Sequence, residues 1–221
     1  MNTGYTILET FVGAGGSHLG FMQENFKTVY VNDFVKECLE TLTFNNPNLA
    51  EEKAIIDNTP IEELKPYELL KETGLKAGEL DVMFGGVVCK GFSLAGERSP
   101  NDERNTLYRK QLDLVEAFKP KISIVENVPG IVNAEILDPE TPTDKVDEIW
   151  QKLERYKGQK ASLRKVNGIT EEFEEEGKAL RYEKANMMKS LKQDGYLISV
   201  IDDLYQIYEK LGYTVVHKVL N

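Results

Sequence analysis

Several residue types are scarce in this chain of 221 residues, and each scarcity excludes a class of protein. The two cysteines and two histidines are spread over separate predicted elements, so they give neither a disulfide framework nor a cluster with metal-ligand spacing. Basic residues are outnumbered by acidic ones, 27 to 37, which argues against nucleic-acid binding by bulk electrostatics. A nucleic-acid partner would need a local basic patch or another subunit.

Long apolar runs are missing as well. No stretch approaches the ~18 apolar residues needed to span a bilayer, and residues 1–5 lack the basic and apolar regions of a secretory signal. We therefore expect a cytoplasmic protein with no membrane association and no bound metal. The apolar fraction of 41% is sufficient for the core of one large domain.

Short apolar strands alternate with helices over the first half of the chain. The predicted strands are residues 6–11, 28–31, 54–56, 80–84 and 121–125. This alternation indicates an α/β fold with a doubly wound, mostly parallel sheet and right-handed crossovers. Near the end of the chain, residues 200–211 are predicted to form an amphipathic helix and residues 213–220 a further strand.

Residues 133–195 differ in character from the rest, because they are rich in Glu and Lys and include the acidic run 171–176. Charge runs of this kind are usually solvated, so we interpret this stretch as a charged helical insertion rather than a specific binding surface. The chain is then one domain, residues 1–221, interrupted by this insertion.

A cysteine on a glycine-bounded loop carries the strongest chemical signal. Gly85 and Gly86 close the fourth strand and allow another molecule to approach the backbone, and Cys89 follows. Ligands of open α/β sheets bind at the carboxyl ends of strands, and the neighbouring Lys90 would favour a thiolate. We predict that Cys89 is a nucleophile, whereas Cys38 lies on the apolar side of a helix and is predicted to be core.

The loop after the first strand reads Phe-Val-Gly-Ala-Gly-Gly-Ser from Phe11 to Ser17. Its glycines permit a tight turn and leave backbone N–H groups free to hold an anionic ligand group. It is not a dinucleotide fingerprint, because His18 stands where the third glycine would be. On spacing alone, a simple strand–helix connection explains the loop equally well.

Two acidic residues follow the second and third strands. Asp33 precedes Phe34, and this pair suits the ribose hydroxyls and the base of a nucleoside. Asp33 could equally cap the next helix, and Asp57 admits the same two interpretations. Together with the glycine loop they favour an adenosine-type cofactor.

Glu126 leaves the fifth strand at its carboxyl end, followed by Asn-Val-Pro-Gly. In a doubly wound sheet this strand lies beside the one that precedes Cys89, so the thiol and the carboxyl group could face one pocket. The alternative is that Glu126 only caps a loop.

These motifs, in this order, resemble those of the cytosine-5 DNA methyltransferases, whose fold is the S-adenosylmethionine-dependent methyltransferase type. The resemblance covers residues 6–133 and 212–221. It implies S-adenosylmethionine as the cofactor, held by Phe11, Gly13, Gly15, Gly16, Asp33, Phe34, Asp57, Gly86 and Leu107. It also implies that Cys89 is the nucleophile and Glu126 the catalytic glutamate.

The chemistry of that family requires these residue types. Carbon 5 of cytosine is a poor nucleophile, so a thiolate adds to carbon 6 while a protonated carboxyl group donates to ring nitrogen 3. Carbon 5 can then accept a methyl group, and loss of its proton followed by expulsion of the thiol restores the ring. The base must be flipped out of double-stranded DNA to enter such a site.

The chain departs from the family pattern at three places. Val88 replaces a proline before the cysteine, and Lys90 replaces a glutamine. Lys90 could support the thiolate, contact a phosphate or simply be solvated. The segments that normally follow residue 221, including the target-recognition domain, are missing, and the insertion is unusual. We therefore expect the catalytic half of a split or truncated enzyme, completed by a second polypeptide with the recognition domain.

Three alternatives remain open at this point. The first is an inactive or regulatory module that only binds the cofactor, and the second is an RNA cytosine methyltransferase with the same motifs. The third is a nucleotide-dependent oxidoreductase, which would leave Cys89 and Glu126 unexplained.

Overall fold

The computed structural model describes residues 4–87, 106–138, 141 and 144–220. The strands are β1 (Thr6–Thr10), β2 (Lys27–Asn32), β3 (Ile55–Asp57), β4 (Val82–Gly86), β5 (Ile122–Glu126), β6 (Glu135–Leu137) and β7 (Leu197–Ser199). The helices are α1 (Gly16–Gln23), α2 (Lys36–Asn45), α3 (Asn48–Glu51), α4 (Pro66–Glu72), α5 (Leu107–Phe118), α6 (Asp144–Lys165), α7 (Glu171–Gln193) and α8 (Val200–Lys210). Short 3₁₀ turns occur at Ile61–Glu63 and Pro129–Asn133.

A five-stranded sheet with the order β3-β2-β1-β4-β5 forms the first of two compact units. Every neighbouring pair of these strands is parallel. The chain moves outward from β1 to β3 on one side, then returns to β4 and β5 on the other. This confirms the predicted doubly wound α/β fold, and it puts the point of reversal between β1 and β4, where such sheets bind ligands.

The central strands of this sheet are buried on both faces, as expected of parallel strands. Ile7 and Leu8 of β1 and Met83 of β4 have no exposed surface. A cluster that includes Val31, Leu39, Leu42 and Leu49 packs α2 and α3 against the sheet. Because both faces of the central strands are covered, both sets of their side chains are mostly apolar, which explains the short apolar runs in the sequence.

The second unit contains the charged stretch for which an insertion was predicted. Its described residues are 129–138, 141 and 144–205. Helices α6 and α7 pack together over a core that includes Val146, Ile149, Trp150, Leu153 and Leu191. Strands β6 and β7 pair antiparallel in the same unit.

Two predictions from the sequence are wrong. Residues 213–220 form no strand, and Val216 and Leu220 are 86% and 82% exposed. Their apolar pattern suits a strand, but a strand requires a ladder partner, and none pairs with them among the described residues. Cys38 is only partly buried, because Leu39 and Leu42 take the core-facing positions of α2. No helix in the described ranges is long and apolar enough to cross a membrane.

Candidate functional site

The glycine loop leaves the carboxyl end of β1 at the centre of the sheet. Gly13 and Gly15 have φ angles of 55° and 97°, which glycine adopts readily. A Cβ on Gly15 would lie 2.5 Å from Cδ1 of Leu42, so the loop passes too close to α2 for any side chain there. The Gly15 N–H donates to the carbonyl of Val12 at 3.1 Å, which tightens the turn before α1.

Asp33 joins this loop to the end of β2. Its Oδ2 accepts a hydrogen bond from the Gly13 N–H at 2.9 Å, and its Oδ1 accepts one from the Val35 N–H at 2.9 Å. The carboxylate thus supports the entry to α2 as well as the glycine loop. Phe34 beside it has 63% of its surface exposed at the edge of the sheet, so its ring is free to stack on a ligand.

Asp57 ends β3 and is held by two hydrogen bonds. Its Oδ2 accepts from the Tyr30 hydroxyl at 2.9 Å, and its Oδ1 accepts from the Thr59 N–H at 2.8 Å. Burial, reinforced by the charge of Asp57, raises the pKa of Tyr30 well above its usual value. Tyr30 therefore remains a neutral donor that fixes the orientation of the Asp57 carboxylate.

Strands β4 and β5 end side by side. Gly86 is in register with Glu126, and a Cβ on Gly86 would lie 3.6 Å from Oε2 of Glu126 and 3.7 Å from the carbonyl oxygen of Phe11. Asn127 donates from Nδ2 to the carbonyl of Val87 at 3.0 Å, which ties the two strand ends together. This edge is the point where the chain leaves β4 toward Cys89.

The sequence-predicted site residues therefore gather along one edge of the sheet. Those at or just after the carboxyl ends of the five strands are Phe11, Gly13, Gly15, Gly16, Asp33, Phe34, Asp57, Gly86 and Glu126. Leu107 opens α5 and is partly buried. Cys89 and Lys90 lie outside the described residues, so their predicted roles stay predictions.

A buried group next to the loop was not predicted from the sequence. Glu9 on β1 has no exposed surface, and its carboxylate accepts a hydrogen bond from the Ser17 hydroxyl at 2.9 Å. Its other oxygen lies 2.7 Å from Nδ1 of His18, which is also fully buried. The available signal was a charged residue within the otherwise uncharged strand Thr-Ile-Leu-Glu-Thr.

Comparison with known proteins finds a family model and several curated relatives that match this chain. The family model for C-5 cytosine-specific DNA methylase matches residues 5–155. The type II methyltransferase M.AgeI of Thalassovita gelatinovora is 36% identical over 126 residues, which are 57% of this chain and 28% of that protein. M.XorII of Xanthomonas oryzae pv. oryzae is 35% identical over 125 residues, with 56% and 28% covered.

The relative M.AquIA of Picosynechococcus sp. is 31% identical over 128 residues, which are 58% of this chain and 50% of that protein. The matched region thus spans between about a quarter and a half of the length of these relatives. Among solved structures, a putative DNA modification methyltransferase of an Escherichia coli prophage has a TM-score of 0.47 at 22% identity, covering 65% of this chain and 36% of its own.

The family model covers well over half of the chain, from the first strand into α6. The chain therefore belongs to the C-5 cytosine-specific DNA methylase family, whose methyl donor is S-adenosylmethionine.

Proposed function

We propose that this chain is the catalytic part of a DNA methyltransferase that methylates carbon 5 of cytosine through a covalent adduct with Cys89. The main support is the register of β4 and β5, which brings Glu126 beside Gly86, the last residue of the strand that leads to Cys89. The reaction needs a thiol and a carboxyl group in one pocket, and Cys89 follows Gly86 by three residues in the sequence. The names of the relatives suggest the type II class for the complete enzyme.

The glycine loop and its neighbours fit S-adenosylmethionine. A Cβ on Gly13 would meet no atom of the described residues within 4 Å, so there is open space beside this residue for the methionine part of the cofactor, whereas Gly15 makes room for Leu42. Asp33 has a carboxylate at the same edge for the ribose, and Phe34 presents an exposed ring for the adenine. We assign Phe11, Gly16, Asp57, Gly86 and Leu107 to the same site. When bound, the cofactor supplies an electrophilic methyl group.

The residues of the chain would then activate the base. The Cys89 thiolate adds to carbon 6 of a flipped cytosine, and Glu126 donates a proton to ring nitrogen 3. Carbon 5 thereby gains the electron density that it needs to take the methyl group. Glu126 is exposed at the end of β5, so a ligand can reach its carboxyl group without displacing core residues. Asn127 holds this strand end against β4.

We also propose that a second polypeptide with the target-recognition domain completes the enzyme. The net charge of −10 is unsuited to holding DNA without help. In the first unit, β5 is an edge strand whose Ile122 and Ile124 are 55% and 39% exposed, and Val216 and Leu220 are exposed as well. The open edge of β5 can pair with a further strand, and exposed apolar side chains nearby suit contact with another chain.

Trapping with a fluorinated base tests the proposed chemistry. A duplex with 5-fluorocytosine in mixed sequence is incubated with the chain, candidate partner chains and S-adenosylmethionine. The fluorine blocks the loss of a proton from carbon 5, so we expect a covalent adduct that resists denaturation. The variants Cys89→Ala and Glu126→Gln should form none, whereas Cys38→Ala should react like the wild type.

Each result of this experiment has a definite meaning. An adduct that persists in Cys89→Ala would overturn the assignment of the nucleophile. Adduct formation on a matched RNA but not on DNA would replace the proposed substrate. Robust methylation of DNA by the isolated chain, measured with a radiolabelled methyl group, would contradict the proposed second polypeptide.

A further inference from the structure

A glutamine of α5 packs against the end of β4. Gln111 has no exposed surface. A Cβ on Gly85 would overlap the carbon, oxygen and nitrogen atoms of the Gln111 carboxamide, so this group occupies the space that a side chain at position 85 would need. The absence of a side chain at Gly85 therefore lets α5 bring a polar group directly onto the strand.

The hydrogen bonding of this carboxamide is incomplete. Its Nε2 donates a long hydrogen bond of 3.5 Å to the carbonyl of Ile124, whereas its buried Oε1 has no partner among the residues that the structure describes. A buried polar atom without a partner destabilises the folded protein. An apolar side chain of similar size would fill the same space without this cost. Buried polar atoms of this kind are rare in native proteins, so the carboxamide calls for a reason other than stability.

The position of Gln111 supplies such a reason. Gly85 is the last but one residue of β4, and Ile124 lies two residues before Glu126 at the end of β5. The hydrogen bond to Ile124 ties β5 to α5, and the packing on Gly85 holds the end of β4 against the same helix. Leu107 lies one turn earlier on the same side of α5. One side chain thus links three elements that contain predicted site residues.

We propose that Gln111 is a positioning residue for the methylation reaction, because it fixes the ends of β4 and β5 and thereby the place of Glu126. This inference rests on the proposed function, in which Glu126 donates a proton to ring nitrogen 3 of cytosine. Proton transfer requires that donor and acceptor lie within hydrogen-bond reach, and a small displacement of a reacting group slows a reaction strongly. Glu126 is exposed, so the backbone of β5 largely decides where its carboxyl group lies.

The rate of covalent adduct formation tests this inference. The full chain and a candidate partner chain are mixed with saturating 5-fluorocytosine duplex and S-adenosylmethionine, and the adduct is followed over time. Gln111→Met keeps the length of the side chain and removes both polar atoms. We expect the adduct to form about tenfold more slowly. The duplex concentration for half-saturation should stay at the wild-type value, and the urea midpoint of unfolding should not fall.

Thr10→Val is the matched control. Thr10 has no exposed surface, its hydroxyl has no partner in the described part of the chain, and it is in register with Gly85. Valine keeps the shape of the side chain, so this variant should also not lower the urea midpoint, but its adduct should form at the wild-type rate. Equal slowing in Thr10→Val and Gln111→Met would show a general effect of packing in this row of the sheet, and the inference would be overturned. An unchanged rate in Gln111→Met would overturn it as well.

Amide hydrogen exchange of the full chain tests the positioning without catalysis. Gln111→Met should exchange the amides of Ile122–Glu126 severalfold faster than the wild type, whereas Thr10→Val should not. Equal exchange of this strand in Gln111→Met and the wild type would contradict the inference.

The two measurements separate this inference from the proposed function. If the wild type forms no adduct on DNA or RNA with any partner, the proposed function fails, and the exchange of β5 still decides whether Gln111 fixes this strand. If Gln111→Met does not fold, Gln111→Leu takes its place in both measurements. Failure of both variants to fold would show that the carboxamide is needed for stability, which contradicts the inference.

Discussion

At the scale of single residues, the neighbours Asp33 and Phe34 differ in how they interact with the rest of the protein. Both oxygens of Asp33 accept backbone hydrogen bonds, from Gly13 and Val35, so this carboxylate is part of the framework of the site. Phe34 exposes most of its ring. We therefore predict that Phe34 contributes to ligand binding rather than to folding.

We expect Asp33→Ala and Phe34→Ala to differ in their effects on stability and on cofactor binding. Loss of the two backbone hydrogen bonds should lower the free energy of unfolding by about 1–3 kcal/mol in Asp33→Ala, and cofactor binding should weaken with it. Phe34→Ala should change stability by less than about 0.5 kcal/mol and weaken S-adenosylhomocysteine binding about tenfold through lost stacking. Urea unfolding and calorimetric titration measure the two effects. Unchanged affinity in Phe34→Ala would contradict the assignment of its ring to the ligand.

Tyr208 gives a prediction on pH. Burial raises its pKa to about 12, against a smaller opposing effect of its hydrogen bond with Ser123 at 2.6 Å. Above pH ~10 the unfolded chain ionises this tyrosine while the folded chain retains the proton. The unfolded state then binds fewer protons, so stability is fully present below pH ~10 and falls by about 1.4 kcal/mol per pH unit toward pH 12. The raised pKa of Tyr30 likewise lowers the free energy of unfolding as the pH rises above 10.

The variant Tyr208→Phe tests this sign. Its free energy of unfolding, measured in urea at pH 9, 10 and 11, should fall less steeply with pH than that of the wild type. Tyr182→Phe changes a tyrosine that is 71% exposed and should keep the wild-type slope. Equal slopes in Tyr208→Phe and the wild type would show that this hydroxyl ionises alike in the folded and unfolded chains.

At the scale of elements, helices α6 and α7 show how charge can select a packing arrangement. Residues 155–170 contain five basic side chains and no acidic one, whereas residues 171–176 are mostly glutamates. Lys160 pairs with Glu174 at 2.7 Å, and this contact lowers the pKa of the Glu174 carboxyl group. Antiparallel packing thus brings the basic half of α6 beside the acidic start of α7. The charge run that was predicted to be a solvated face also contributes to pairing of the helices.

The contact between these helices depends on a glycine. Tyr156 stacks on Phe173 with ring centroids 4.5 Å apart, and its ring covers Gly177 so closely that any Cβ there would overlap it. A Cβ on Gly158 of α6 would instead meet open space, with no neighbouring side chain within 4 Å among the described residues. Substitution of Gly158 is therefore a suitable control for substitution of Gly177, because both glycines lie within helices.

We expect Gly177→Ala to destabilise the protein by about 1–3 kcal/mol, because the buried, stacked ring of Tyr156 cannot yield without losing contacts. Gly158→Ala should instead stabilise it by up to about 1 kcal/mol through helix propensity. Thermal and urea unfolding followed by circular dichroism compare the two. If both substitutions stabilise alike, the close approach of Tyr156 to Gly177 is not a feature of the folded protein.

Local patterns in the sequence predicted the five strands of the parallel sheet, since each is a short, largely apolar run between turn residues, but they did not predict β6 and β7. These local patterns gave wrong predictions where contacts with another part of the chain determine the structure. Residues 213–220 have the apolar pattern of a strand, but no strand pairs with them among the described residues. Cys38 has the spacing of a core-facing helical residue, but it is only partly buried because its neighbours Leu39 and Leu42 occupy the core. Glu9 was missed for a similar reason, because its pairing with Ser17 and His18 appears only when the strand and the helix are folded together.

At the scale of the whole molecule, the balance of charge conflicts with the family to which the chain belongs. DNA carries a dense negative charge, and proteins that hold it by its phosphates release counterions through clustered Lys and Arg. This chain has a net charge of −10. In the second unit the basic residues of α6 are partly neutralised by α7, as the Lys160–Glu174 pair shows.

We therefore expect the isolated chain to bind a mixed-sequence duplex with a dissociation constant weaker than about 10⁻⁴ M at physiological salt, beyond the usual range for non-specific binding. Fluorescence anisotropy of a labelled duplex, measured at low and moderate salt, checks this value. The same titration with a candidate partner chain should give much tighter and salt-dependent binding, because the partner brings the basic surface. Micromolar, salt-sensitive binding by the chain alone would mean that it has its own phosphate-binding surface, and the acidic balance would then not be the reason for needing a partner.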